Sequence, residues 1–259
     1  MTSLSGKTVL VSGVGPGLGR ELAATALREG ANVVIGARTE ERLKVTASEL
    51  DPSGERVAYA ALDVRDAAGC ARLVDTATSR FGGLDAVVHC AAYDASFGGV
   101  EGADLEEFRA VYDINVFGTL QLTQAALPAL KVGGGAVVFI GTQSMYLPRL
   151  MQLAYGSSKA SMVTACHLMA VELGPYKIRL NTVVATWMWG PAVEGYVKGV
   201  AAERGVPAEE VKAEIAANMP LREIPEDGDV AEAVMFLASD RGRMITGQTL
   251  FVNAGEFLH

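Results

Sequence analysis

Residues 7–11, Lys-Thr-Val-Leu-Val, run directly into residues 12–19, Ser-Gly-Val-Gly-Pro-Gly-Leu-Gly, and this stretch decides the fold. The first part is a short run of aliphatic, mostly β-branched residues and predicts a strand. The second part predicts a tight loop, because glycine adopts positive φ at little cost. Apolar residues then recur at helical spacing from Leu18 until Gly30 ends the pattern. A strand, a glycine loop and a helix in this order predict the first unit of an α/β fold.

The same alternation continues along the chain. Further strands are predicted at residues 32–36, 57–62, 84–89, 136–141, 178–184 and 248–252. Helices are predicted between them at residues 39–50, 66–81, 105–130, 153–173 and 229–238. Because the strands are apolar on both faces, we expect a doubly wound parallel sheet with helices covering both sides.

The regular pattern fails between residues 185 and 225. This part holds both tryptophans, four prolines and one polar helical stretch at residues 207–218. A long excursion from a compact domain is usually functional, so we expect a substrate loop or lid here. The chain shows no linker, repeat or low-complexity tract, so residues 1–259 are predicted to form one domain.

Composition excludes several classes of function. The net charge of −8 argues against nucleic acid and anionic membranes as partners. Neither an apolar signal region nor a run of 18 apolar residues is present, so we expect a cytoplasmic protein with no membrane association. Cys70, Cys90 and Cys166 are scattered, and no cysteine or histidine spacing suits a metal, so we expect reduced thiols and no metal site.

A second stretch carries candidate chemistry: Leu153-Ala-Tyr-Gly-Ser-Ser-Lys159, at the start of a predicted helix. Tyr155 and Lys159 are four residues apart and so share one face of that helix. An ammonium beside a phenol lowers the pKa of the phenol. The pair therefore predicts an acid/base that works near neutral pH.

Other residues stand in a matching order around this pair. Thr142 ends a predicted strand 13 residues before Tyr155, Asn115 lies in the preceding helix, and the first loop has the spacing Gly13-x-x-x-Gly17-x-Gly19. This set resembles the short-chain dehydrogenase/reductase family in its compact single-domain branch, from near residue 7 to near residue 255. The resemblance implies a Rossmann-like fold and an NAD(P)-dependent oxidoreductase that interconverts a ketone and a secondary alcohol.

The resemblance also implies roles for individual residues. Tyr155 passes the proton, and Lys159 lowers its pKa and holds the nicotinamide ribose. Thr142 donates a hydrogen bond to the substrate oxygen, with Ser144 as an alternative, because the family usually has serine at the position of Thr142. Asn115 supports Lys159 through a water molecule.

Cofactor contacts are expected along the carboxyl edge of the sheet. Glycines allow close approach to a diphosphate, which the following helix N-terminus attracts. Ala37 and Arg38 follow the second strand where an acidic residue would select NAD(H), so NADP(H) is the preferred cofactor and NAD(H) the alternative. The predicted cofactor residues are Ser12, Gly13, Gly15, Gly17, Leu18, Gly19, Arg38, Asp63, Val64, Ala91, Tyr155, Lys159 and Met188.

The segment Trp187-Met188-Trp189 is predicted to line the substrate pocket. If the segment is extended, both rings face one side and offer a broad apolar surface. We therefore expect an apolar cyclic or aromatic substrate, although the tryptophans could instead anchor the loop to the body. The other predicted substrate residues are Tyr93, Ser144, Met145 and Tyr146.

Several positions depart from the family pattern. His89-Cys90-Ala91-Ala92 replaces the usual Asn-Asn-Ala-Gly, Ala185-Thr186 replaces the usual Pro-Gly, and Gly190 replaces a usual threonine. These changes keep open a second hypothesis, a nucleotide-binding regulator with a decayed active site. An enoyl reductase is disfavoured, because its tyrosine normally stands seven residues before the lysine, where this chain has Gln152. A longer sugar epimerase is disfavoured by the glycine spacing.

Relatives in this family are commonly homotetramers that pack the helices flanking the Thr142 strand. The helix after Tyr155 offers small residues for such contacts, namely Ala160, Ser161, Thr164 and Ala165. The expected partners are thus a small carbonyl or alcohol substrate and three further copies of the chain.

Overall fold

One parallel sheet forms the centre of the computed structural model, which describes residues 2–94, 98–148 and 151–258. Its strands are β1 (Thr8–Ser12), β2 (Asn32–Ala37), β3 (Val57–Ala61), β4 (Ala86–His89), β5 (Gly135–Thr142), β6 (Ile178–Ala185) and β7 (Thr249–Val252). They lie in the order β3-β2-β1-β4-β5-β6-β7, and every neighbouring pair is parallel. The predicted doubly wound parallel sheet is confirmed.

Nine α-helices of the described residues accompany the sheet. They are α1 (Leu18–Arg28), α2 (Glu40–Leu50), α3 (Ala67–Phe81), α4 (Leu105–Tyr112), α5 (Thr119–Gly133), α6 (Leu153–Leu173), α7 (Pro191–Arg204), α8 (Ala208–Ala216) and α9 (Asp227–Ala238). Alternate strand residues supply two cores. Val9 and Val11 pack on the side of α1, α2 and α9, while Leu10 packs on the side of α3, α5 and α6.

Two helices differ from their predicted form. The long helix predicted at residues 105–130 is interrupted by a π-helical turn at Asp113–Gly118, and the helix after it continues to Gly133. The π-turn changes the backbone hydrogen-bond register around Asn115, and periodicity alone does not reveal such an insertion. α7 was not predicted, because Gly195 and Gly199 weaken its helical pattern. Pro191 nevertheless favours a helix start, since proline is well tolerated in the first turn.

The strand order reverses between β1 and β4, because β2 and β3 are added on one side of β1 and β4 to β7 on the other. The ends of β1 and β4 lie side by side, with Ser12 paired to His89. On the other side of β4, Thr142 at the end of β5 is paired to Ala185 at the end of β6. The loops after these strands therefore meet at one edge of the sheet, where open α/β folds bind their ligands. No helix among the described residues is long and apolar enough to cross a membrane.

Candidate active site

The glycine loop packs directly against the end of β4. Gly13 has φ +83°, and a Cβ on it would lie 2.2 Å from the Ala91 amide nitrogen. A Cβ on Gly19 would lie 2.4 Å from the Gly13 carbonyl oxygen. Both positions therefore require glycine. A Cβ on Gly15 would meet no atom within 4 Å, so the loop presents bare backbone to open space in front of α1.

The far side of this edge carries charged side chains. Arg38 is exposed directly after β2. Asp63, after β3, accepts from the Arg65 backbone amide at 3.0 Å, from Nε at 3.0 Å and from Nη2 at 2.6 Å. These bonds lower the pKa of Asp63 to about 2. The sequence did not reveal this pairing, which engages a carboxylate that was predicted to contact the cofactor. Val64 is buried and packs against Gly118 of the π-turn.

Tyr155, Lys159 and Thr142 come together as predicted. Tyr155 and Lys159 lie on the first two turns of α6, and the Tyr155 phenol shares a hydrogen bond with the Thr142 side chain. Lys159 is only 6% exposed, and its Nζ donates to the Ile140 carbonyl oxygen at 2.8 Å. The same Nζ lies 5.8 Å from the centre of the Tyr155 ring. A phenol, a hydroxyl and an ammonium thus converge beside the end of β5.

The protonation of this group differs from the sequence-based expectation. Burial raises the pKa of Tyr155, and the charge of Asp94 raises it further, while the hydrogen bond from Thr142 opposes them. Burial lowers the pKa of Lys159 to about 8. The net shift of the Tyr155 pKa is therefore upward, opposite to the lowered value expected from the sequence. The phenol stays protonated at neutral pH, a state suited to donating a proton.

Asn115 is buried in the π-turn and joins two parts of the site. Its side-chain oxygen accepts from the Tyr93 amide at 2.7 Å, and its Nδ2 donates to the Tyr93 carbonyl at 3.1 Å and to Ser158 Oγ at 3.0 Å. Ser158 Oγ in turn donates to the Tyr155 carbonyl at 2.7 Å. Asn115 thus fixes the loop after β4 against the first turns of α6. The phenolic hydroxyl of Tyr93, a predicted substrate residue, donates to Glu107 on α4. This hydroxyl is therefore already hydrogen-bonded within the protein.

The turn after β5 holds three predicted substrate residues. Ser144 Oγ lies 3.1 Å from Thr142 Oγ1, so the two candidate hydroxyls are direct neighbours. Met145 lies at the base of this turn, where its Cε would be 3.2 Å from a Cβ on Gly141. Tyr146 packs its ring on Phe251 and Phe257, with ring centres 5.0 and 5.4 Å away. Ser144 is thus in direct contact with the hydroxyl of Thr142, whereas Tyr146 packs on aromatic rings.

Residues 187–189 alternate as predicted, but their rings serve packing. Trp187 and Trp189 both pack against Met219 and its neighbours, whereas Met188 packs on the opposite, sheet-side core. Trp189 also packs on α7 and α8, and Lys212 Nζ lies 3.9 Å above its ring. The Trp189 amide donates to the Pro225 carbonyl at 2.7 Å. The assignment of Trp189 to substrate binding is therefore corrected to an anchor of the loop.

Comparisons with known proteins match this geometry. Residues 13–256 fit a family model described as enoyl-(acyl carrier protein) reductase. Trans-4-hydroxycyclohexanecarboxylate dehydrogenase of Sinomonas cyclohexanicum is 30% identical over 256 residues, which cover 96% of this chain and 92% of that protein. The chain belongs to the short-chain dehydrogenase/reductase family.

Further relatives agree on fold and reaction class. The 7alpha-hydroxysteroid dehydrogenase of Escherichia coli K12 is 28% identical, with 97% of this chain and 94% of that protein covered. A solved short-chain dehydrogenase/reductase from Brucella melitensis, titled glucose/ribitol dehydrogenase, superposes with a TM-score of 0.88 at 27% identity, covering 100% and 99% of the two chains. ElxO with NADP bound superposes with a TM-score of 0.86 at 25% identity, covering 96% and 98%. The protein is accordingly an oxidoreductase acting on CH–OH groups with a nicotinamide cofactor.

A nicotinamide dinucleotide fits the residues that this short-chain dehydrogenase/reductase presents. The diphosphate requires close approach to backbone N–H groups, and the bare loop in front of α1 provides it. The Lys159 ammonium lies near the end of β5, and the partly buried Met188 packs on the core that includes Val14 and Leu18. No cluster of three metal-ligating side chains occurs within the described parts of the chain.

Two departures from the family pattern have structural explanations. His89 stacks on Phe139 with ring centres 5.1 Å apart, and its Nε2 lies 3.0 Å from Thr123 Oγ1. Burial lowers the pKa of His89 to about 3, so the ring is a neutral packing element. A Cβ on residue 190 would lie 2.5 Å from Asp227 Oδ2, so that carboxylate takes the space of the usual threonine side chain.

Asp227 is a site residue that the sequence analysis missed. Its carboxylate lies between Gly190 and the glycine loop, 3.4 Å from where a Cβ on Gly17 would be. Burial, with the charges of Glu21 and Glu226, raises the pKa of Asp227. The glycine at position 190, which leaves space for this carboxylate, was the sequence signal for it. The position of Asp227 at the start of α9 does not indicate which loop its side chain faces.

Proposed function

We propose that this short-chain dehydrogenase/reductase is an NADP(H)-dependent enzyme that interconverts a ketone and a secondary alcohol on an apolar cyclic or aromatic substrate. The observation that carries the proposal is the convergence of Tyr155, Thr142 and Lys159 beside the glycine loop. These are the groups needed to orient a carbonyl oxygen and to give it a proton.

In the direction of reduction, the protonated Tyr155 phenol donates its proton to the substrate oxygen as that oxygen gains negative charge. The Thr142 hydroxyl, with Ser144 beside it, orients the same oxygen by a hydrogen bond. When bound, the nicotinamide supplies or accepts the hydride. Lys159 stabilises the phenolate left after the transfer and binds the nicotinamide ribose, and Asn115 holds the turn of α6 that carries both side chains.

The cofactor preference follows from the residues after β2. Ala37 leaves space and offers no carboxylate to repel a 2′-phosphate, while Arg38 is exposed and its charge helps to lower the pKa of Asp63 beside it. A guanidinium suits a phosphate because it forms two parallel hydrogen bonds. NADP(H) is therefore the proposed cofactor, with NAD(H) as the alternative.

The substrate proposal now rests on residues other than Trp189. Leu147, Met151 and Leu153, which precede Tyr155, expose apolar side chains. Tyr196 on α7 is also exposed and contacts the Trp187 ring at 5.3 Å. Two relatives are named for a cyclohexane and a steroid alcohol, which supports a cyclic apolar substrate, whereas the Brucella melitensis structure is titled for a sugar and a polyol.

We further propose that residues 1–259 act as one catalytic domain and that residues 185–225, with α7 and α8, cover the substrate. The protein is proposed to work in the cytoplasm as a homotetramer. The enoyl reductase named by the family model remains disfavoured, because position 152 is glutamine rather than tyrosine. The second candidate, a regulator with a decayed site, is favoured only by the departures at residues 89–92, 185–186 and 190.

The direct test is turnover of cyclic ketones and alcohols with each nicotinamide cofactor. Tyr155→Phe keeps the ring and removes the proton, so kcat should fall by at least about 100-fold while far-UV circular dichroism is unchanged. Tyr176→Phe is the matched control, because Tyr176 is an exposed phenol packed on Lys131. Dinucleotide binding without turnover by the unsubstituted protein would support the regulator instead.

A further inference from the structure

One carboxylate joins the two loops that carry the active-site residues. Glu256 Oε2 accepts from Gln143 Nε2 at 2.7 Å and also from the Thr186 hydroxyl. Gln143 directly follows Thr142, and Thr186 directly precedes the 187–189 segment. The ends of β5 and β6, already paired in the sheet, are thus connected a second time beyond their last backbone pair.

A buried amide network holds Glu256 in this position. Asn253 Nδ2 donates to Gln143 Oε1 at 2.8 Å and to the Phe257 carbonyl at 3.0 Å. Asn253 Oδ1 accepts from the Gly255 amide at 3.0 Å. Gln143 is therefore bonded at both ends of its side-chain amide, which fixes its rotamer and its distance from Glu256.

The backbone that presents Glu256 is also constrained. Ala254 and Gly255 both have positive φ, +49° and +86°, and a β-carbon disfavours this conformation at Ala254. The Phe257 ring contacts both Tyr146 and Phe251, each with a centre-to-centre distance of 5.4 Å. The turn at residues 253–257 is thus attached to the Thr142 side of the site by polar and aromatic contacts together.

Thr186 connects this turn to the other side of the site. Relatives usually have glycine at this position, and glycine has no hydroxyl to donate. In this chain the hydroxyl supplies the bond to Glu256, while the Pro-Gly pair that usually shapes the loop is absent. The departure at Ala185-Thr186 is therefore accompanied by its own anchor.

We propose that Glu256 is a positioning residue, whose carboxylate holds the start of the 187–189 segment at a fixed distance from Thr142. Through Thr186 it sets the place of Met188, which packs on the core that includes Val14 of the glycine loop and Leu18 of α1. The inference rests on the proposed function, because it assigns Glu256 to the assembly of that same site. Glu256 does not touch the reacting atoms.

Tryptophan fluorescence tests this proposal without turnover. The only tryptophans of the chain are Trp187 and Trp189, so emission reports on this segment alone. In cofactor-free protein, Glu256→Ala and Thr186→Val should both raise the acrylamide quenching constant, and Thr186→Ser should keep the unsubstituted value. The double variant should match Glu256→Ala, because the bond that Thr186→Val removes is already lost when the carboxylate is absent. Glu55→Ala, an exposed glutamate before the edge strand β3, is the control.

Cofactor affinity gives the second readout. Loss of the anchor should raise Kd for NADPH about 10-fold, the scale of one hydrogen bond to a charged group, and should raise KM more than it lowers kcat. If Glu256→Ala fails to fold, Glu256→Gln replaces it in both measurements. Unchanged quenching and unchanged Kd, or strictly additive effects in the double variant, would overturn the proposal. If no turnover is found with any substrate, the quenching series still decides it, so the two failures are distinguishable.

Discussion

At the residue scale, the charge state of Lys159 illustrates the cost of burying an ammonium group in the proposed active site. Its Nζ has the Ile140 carbonyl as a neutral hydrogen-bond acceptor, and burial lowers its pKa from 10.5 to about 8. A lowered lysine pKa means that the folded protein disfavours the charged form. The cost is fully present below pH 8, where folded and unfolded states are both charged, and it disappears above the unfolded value of 10.5.

Lys159→Met should therefore stabilise the cofactor-free protein at neutral pH. We expect a gain of about 1–3 kcal/mol in the free energy of unfolding at pH 7, less than the full pKa shift because the bond to Ile140 is lost. The gain should shrink as pH rises from 8 to 10.5, since the unfolded state binds the extra proton in this window. Urea unfolding at several pH values measures it, with Lys131→Met, an exposed lysine over Tyr176, as the control. A gain that does not depend on pH contradicts the electrostatic explanation.

Arg38 carries the cofactor preference at the same scale. Arg38→Ala should weaken NADPH binding by about 1.5–3 kcal/mol, the range for hydrogen bonds to a charged group, and should leave NADH binding nearly unchanged. Isothermal titration of both cofactors measures the difference. Arg80→Ala, at the end of α3 where Arg80 donates to the Gly54 carbonyl, provides a control for the lost charge. Tighter binding of NADH than of NADPH by the unsubstituted protein would refute the preference.

At the scale of elements, the loop between β6 and α7 shows how packing decides between two readings of one pattern. The alternation of Trp187, Met188 and Trp189 correctly predicted that both rings face one side. Periodicity cannot say what lies on that side. Here both rings pack on the cluster of Ala216, Met219 and Ile224, and Trp189 also packs on α7 and α8. The rings that would make a substrate wall are used to attach the excursion to the body.

Trp189→Ala should consequently act on stability rather than on specificity. We expect a loss of about 3–4 kcal/mol in the free energy of unfolding, at the lower end of the range for Trp→Ala because the ring is only partly buried. The ratio of kcat/KM for a cyclic ketone over a small sugar should stay unchanged. Trp189→Phe keeps most of the packing and should recover most of the stability. A changed substrate ratio with unchanged stability would restore Trp189 to the substrate site.

The elements of the sheet were predictable because their signals are local. Strand residues such as Val9 and Val88 are buried, and apolar runs bounded by glycine or polar residues give that information directly. The convergence of Tyr155 with Thr142 was predictable because parallel strands and the helices after them meet at one edge. Asp227 and the Glu256 anchor were not predictable, since they depend on contacts between residues that are distant in sequence. The π-turn at Asn115 and the Asp63–Arg65 pair are local, but neither leaves a recognisable spacing pattern in the sequence.

At the scale of the whole molecule, the outer surface of α6 carries an apolar stripe that is exposed within the described residues. Ala160, Thr164, Leu168 and Val171 form one exposed stripe along this helix, and Leu168 and Val171 are 69% and 81% exposed. Phe117 in the π-turn is also exposed, at 60%. A helix that is apolar on its outer as well as its inner face normally packs on both.

We therefore expect this stripe to pack against a second copy of the chain within a homotetramer. Small residues at 160 and 164 allow close approach of two helices, and Leu168 and Val171 supply apolar area at the ends of the contact. Leu168→Glu with Val171→Glu would place charges in a desolvated interface, where an unpaired charge costs several kcal/mol. Light scattering at micromolar concentration should show four times the 27.1 kDa chain mass for the unsubstituted protein and half of that or less for the double variant. Val45→Glu, on the exposed side of α2, should keep the full mass. A monomeric unsubstituted protein would refute the assembly, and the proton chemistry at Tyr155 would stand unaffected, because every contact that builds it lies within one chain.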